Sequence, residues 1–158
     1  MITKLFICLW CLTITVHVPN ELKTIRDAYR TIDTDQATID NFHNLTLETM
    51  PTSKPVYLGY HGAALALKAS IAGSIKDKLT FFTKGKNLIE KAIEQDPNNI
   101  ELRMIRLSIQ SNVPKIVGYR GSIEEDKAYI KNNLSKVTDA GLAKLLTGFI
   151  ENSGVFLH

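Results

Sequence analysis

The chain has 158 residues, 44% of them hydrophobic and 22% charged, with a formal net charge of +3. That length suits one domain with a sizeable core, and that balance belongs to a folded chain rather than a disordered one. A charge of +3 lies far below that of a dedicated nucleic-acid binder, so nucleic acid is set aside as a partner.

Lys4 precedes the apolar run Leu5–Val16 (LFICLWCLTITV), and polar residues resume at His17. The run is far short of the roughly 20 residues that cross a bilayer as a helix, and it has the length of a signal-peptide core. Residues 1–18 are therefore expected to be a cleaved signal peptide, and 19–158 a single secreted or periplasmic domain without a stable membrane span. Both cysteines, Cys8 and Cys11, fall inside the expected leader. The mature chain would hold itself together by packing alone.

Asn20 can cap a first helix carrying Leu22, Ile25, Tyr29 and Ile32 at helical spacing. After a break at 31–35, a second helix carries Ile39, Phe42 and Leu45. Thr52 or Ser53 caps the next, with Pro55 in its first turn, where a missing N–H costs nothing. Val56–Ala72 places Tyr57, Tyr60, Ala64, Leu67 and Ile71 on one stripe. The following helix is expected over about Lys78–Gln95, with Gly85, Ile89 and Ala92 on one face. Asp96-Pro97-Asn98 then breaks it, since proline cannot continue the hydrogen-bond ladder. Asn98 with Glu101 reads as a capping box for the helix to Gln110, which is apolar on two sides. An unusually apolar connector, Ser111–Gly121, leads to a helix capped by Ser122 and Glu125. Asp126, Ile130, Leu134 and Val137 lie in register along it. Thr138 caps a last helix carrying Leu142, Leu145, Leu146, Phe149 and Ile150, and the tail after Gly154 is expected to fray. The fold class is all-α, about seven helices in antiparallel pairs.

Gly85-x3-Ile89-x2-Ala92-x4-Pro97, preceded by Tyr60-x2-Ala63-Ala64-x2-Leu67, resembles the paired helices of a tetratricopeptide repeat over roughly Val56–Gln110. The resemblance implies a short stack whose end pairs act as caps, with binding in a groove. The segment Ile109–Lys127 resembles one in secreted bacterial proteins of no assigned activity. It implies a location only.

Chemistry is sparse. The four histidines are not at metal-ligand spacing, no serine has a nucleophile-elbow setting, and Gly118-Tyr-Arg-Gly121 lacks the spacing and lysine of a phosphate loop. No cofactor is expected, and no enzyme activity. His61, beside Tyr57 and Tyr60, is either a hydrogen-bonded core histidine or the base of a small secreted hydrolase. Arg103, Arg106 and Gln110 recur along one helix edge, and the adjoining loop adds Lys115, Tyr119 and Arg120. Arginine forks suit carboxylate and phosphate, so these six residues form the candidate binding site. The same arginines can instead pair internally with Glu124, Glu125 or Asp126. The expected function is an extracytoplasmic helical-repeat-like module for a protein, a peptide or an anionic envelope polymer.

Overall fold

The computed structural model describes residues 21–49 and 54–157. Among these are seven α-helices and no strand: α1 (Glu21–Arg30), α2 (Gln36–Thr49), α3 (Pro55–Ile71), α4 (Ile75–Gln95), α5 (Ile100–Asn112), α6 (Ile123–Asn133) and α7 (Ala140–Asn152). Short 3-10 turns follow α5, α6 and α7. The readings placed on the apolar run 5–16, on Cys8 and Cys11, and on the caps Asn20, Thr52 and Ser53 lie outside the described residues.

Side-chain partners fix the direction of each pair. A Cβ built on Gly59 would lie 3.8 Å from Ala92 Cβ, and one on Gly62 would lie 2.8 Å from Ile89 Cγ1. Further along, Lys68 Nζ stands 5.8 Å from the Phe81 ring. Numbers rise along α3 as they fall along α4, so the two are antiparallel. On the other side, Lys68 reaches Asp40 at 2.8 Å and His61 reaches Thr46 at 3.0 Å, which makes α2 antiparallel to α3. Gln110 meets Ser122 and Arg106 meets Asp126, so α5 and α6 are antiparallel too.

The α3–α4 crossing is tight because both helices are glycine there. A Cβ on Gly62 would sit 2.7 Å from Gly85 O, and one on Gly85 would sit 2.5 Å from Gly62 O. The helices approach backbone to backbone, and Ile89 and Ala92 are fully buried beside the contact. Small residues at Gly85 and Ala92 thus do what their spacing implies. α5 packs against α3, α4, α6 and α7 at once. Leu102, Ile105 and Leu107 are wholly buried within that surround.

Several ends differ from the sequence expectation. α4 starts at Ile75, a turn earlier than Lys78, because Ser74 accepts from Asp77 N–H at 3.0 Å. Asn99, not Asn98, caps α5: its N–H closes a turn on Asp96 O, which aims its side chain at the Glu101 and Leu102 amides. Asp139, not Thr138, caps α7 through Leu142 N–H at 3.0 Å. Ser122 makes no side-chain cap; its own N–H donates to Gln110 Oε1 at 3.2 Å. α6 ends at Asn133 and tightens into a 3-10 turn over Leu134–Lys136. The tail does not fray over the described residues: Gly154–Phe156 forms a 3-10 turn, and Phe156 packs edge-on to Phe149 at 5.7 Å.

Candidate binding groove and the buried charge clusters

The helix edge carrying Arg103 and Arg106 faces α6 and α4. Arg106 donates from Nε and Nη2 to both oxygens of Asp126, at 2.7 and 2.8 Å, and from Nη1 to Glu90 at 3.0 Å. Asp126 is wholly buried. Arg103 Nη1 donates to Asp126 at 3.1 Å and to Glu125 at 2.5 Å, while its Nε and Nη2 are taken by Pro97 O. Its guanidinium also lies 5.1 Å from the Tyr129 ring. Tyr119 donates to Glu90 at 2.6 Å, and burial raises its pKa first, with Glu90 adding to the rise. Desolvation lowers both arginines' pKa values, but the carboxylate hydrogen bonds outweigh it, so both stay firmly charged.

The other predicted residues separate from this cluster. Gln110 is buried and accepts from the Ser122 amide. Arg120 Nη1 donates to three carbonyls at the C-terminus of α5, those of Gln110, Ser111 and Val113, at 3.1–3.4 Å. Cations are favoured there by the helix dipole. Lys115 stands exposed on the loop. Arg103, Arg106 and Tyr119 are therefore brought together around Glu90 and Asp126, with their donors engaged inside the chain. Glu90 and Asp126 were not among the predicted site residues, although Asp126 had been named as an internal partner.

A second buried cluster lies on another side of α5, at its first turn. Arg26 holds Glu101 with two bonds, Tyr60 donates to the same carboxylate at 2.6 Å, and Arg26 also reaches Asp139 at 2.8 Å. Four helices or their caps meet at this point. Among the described residues, every buried side-chain nitrogen and oxygen has a partner.

His61 is 6% exposed on α3. Thr46 Oγ1 donates to His43 O at 2.8 Å, which leaves its lone pairs for His61 Nδ1–H at 3.0 Å. Burial, and then the neighbouring His43 ring at 5.3 Å, lower its pKa. Its hydrogen-bond partner is thus a threonine rather than a carboxylate. Among the described residues, no group of three or more metal-ligating side chains converges, and no helix is long and apolar enough to cross a membrane.

A second candidate surface lies on the opposite side of α5 from the arginine cluster. It is an open groove of about 1840 Å³. Met104 and Ile109 of α5 contribute to it, with Leu67 of α3, Phe82 of α4 and Leu145 and Phe149 of α7. Leu79 at 62% exposure and Val117 at 42% stand on its edges, and Ile116, next to Val117, is 96% exposed. Of the six predicted residues only Arg120 borders this groove. The signal for it in the sequence was the apolar character of the 111–121 connector.

No protein-family model matches the chain, no curated protein matches it, and no solved structure matches it.

Proposed function

We propose that this chain is an extracytoplasmic, helical-repeat-like binding module whose working surface is the groove beside α5, and that its partner is a protein or peptide. The observation that carries this reading is the groove itself. About 1840 Å³ of open, largely apolar concavity exceeds the ~300–1,000 Å³ of ordinary small-molecule pockets. Exposed Leu79 and Val117 on its edges add apolar surface that a partner would cover. The antiparallel α3–α4 pair with its Gly62–Gly85 contact supports the repeat-like reading, and the apolar run Leu5–Val16 supports export. The hydrolase alternative receives less support, since His61 is bonded to Thr46. An anion site at Arg103 and Arg106 is likewise less favoured than the groove, because their donors face Glu90, Glu125 and Asp126.

Selection from a displayed library of random 16-residue peptides tests the reading. Enriched peptides should bind the wild-type domain and lose binding to a Leu79→Asp/Val117→Asp variant of unchanged melting temperature. Peptides that bind both proteins equally would place the working surface elsewhere.

A further inference from the structure

The chemistry of the groove narrows the partner, granted that the groove is the working surface. The polar side chains that α5 puts into it, Ser108, Ser111 and Asn112, have their donors turned inward. Ser108 Oγ donates to Ile105 O at 2.8 Å, Ser111 Oγ to Ser108 O at 3.0 Å, and Asn112 Nδ2 to Ser108 O at 2.8 Å. An extended peptide laid there would bring a row of backbone C=O groups that these donors do not meet. Among the described residues there is also no strand edge to pair with it. A helix satisfies its own backbone and presents only side chains.

Charge supplies the second constraint. The groove is bordered by five basic and three acidic residues, a surplus of two positive charges. Arg30 is held by Asp27 at 3.6 Å and Lys127 by Glu124 at 3.4 Å. Arg120 sits on carbonyl oxygens, which leave its charge intact. Lys78 of α4 and Lys144 of α7 make no ion pair within 4 Å among the described residues, and the two helices both pack on α5. Basic side chains thus stand on two walls around an apolar floor.

We infer that the groove takes an amphipathic helix, its apolar stripe against the half-buried Leu67, Phe82 and Phe149 and its acidic flanks towards Lys78 and Lys144. Three synthetic 14-residue peptides test this by fluorescence anisotropy with the whole chain. All carry leucines at helical spacing; one has glutamates elsewhere, one lysines, and the third is the glutamate peptide broken by two central prolines. The acidic helix should bind about tenfold tighter than either other peptide, and added salt should weaken it. A Lys78→Glu/Lys144→Glu variant should erase the preference for glutamate over lysine. Equal binding of the acidic and basic helices, both lost in Leu79→Asp/Val117→Asp, would overturn the acidic assignment and leave the groove reading standing. Equal binding of the proline-broken peptide would overturn the helical assignment in the same way. Binding unchanged by Leu79→Asp/Val117→Asp would overturn both the inference and the groove reading. Failure of all three peptides, or groove-dependent binding only to vesicles of anionic phospholipid, would overturn the inference.

Discussion

Arg26 grips Glu101 across 75 residues of sequence, with Nε and Nη2 donating to its two carboxylate oxygens at 2.7 and 2.6 Å. Both side chains are buried, and Tyr60 donates to the same acid. Removing one member strands the other charge out of water. Glu101→Ala should therefore cost about 3–5 kcal/mol, while a combined Arg26→Met/Tyr60→Phe/Glu101→Leu change, which strands neither the arginine nor the tyrosine hydroxyl, should cost much less or nothing. Urea unfolding of the three proteins checks both halves of this expectation.

The Gly62–Gly85 contact leaves no room for a methyl group against backbone oxygen. Gly62→Ala and Gly85→Ala should each destabilise by at least about 1–3 kcal/mol through overpacking, against the usual helix-stabilising effect of that substitution. Gly148, with nothing within 4 Å of an added Cβ, is the control within α7. Gly148→Ala should raise the melting temperature slightly or leave it unchanged.

Arg106 uses a two-pronged bond on a wholly buried Asp126 and a third donor on Glu90. Lysine offers a single point charge there. Arg106→Lys should lower stability by about 1.5–3 kcal/mol whether or not a partner is present. Thermal melts of the isolated domain would reveal this; an unchanged melt with lost partner retention would return the arginines to the binding site.

His61 is held neutral by burial and by the His43 ring, and His43 is lowered by burial and by Lys68. Their folded pKa values are depressed, so the unfolded chain binds protons first as pH falls below ~6.5. The stability involved is present above that pH and is lost on acidification. Asp40, Asp139 and Glu125 have lowered carboxyl pKa values, led by hydrogen bonds from Lys68, Arg26 and Arg103 respectively, and so act at lower pH. Urea midpoints should thus decline between pH 7.5 and 5.5, and a His43→Gln/His61→Gln variant should show a flatter profile.

The α3–α4–α5 arrangement was legible because it rests on local spacing. Gly85, Ile89 and Ala92 fall on one face, and Pro97 stops the helix whatever surrounds it. Caps were displaced by one residue where two suitable neighbours compete, as at Asn98 and Asn99. There the winner depends on the turn closed by Asp96 O. The Arg26–Glu101 pair was out of reach, since nothing local in α1 or α5 specifies the other. Arg103 and Arg106 were seen as a row, and their acids on α6 were weighed as partners, but Glu90 on α4 was not. The groove draws on segments scattered from Tyr29 to Val155, and no single stretch carries its outline.

Where a partner seats itself is the most direct measure of the central claim. Methyl- and guanidinium-resolved NMR of the labelled domain, titrated with a selected peptide, reads both candidate surfaces in one experiment. The groove reading predicts that the methyl signals of Leu67, Leu79, Val113 and Val117 shift together, while the Arg103 and Arg106 Nε signals stay in place. Shifts gathered at Arg103 and Arg106, with the groove methyls unmoved, would contradict it.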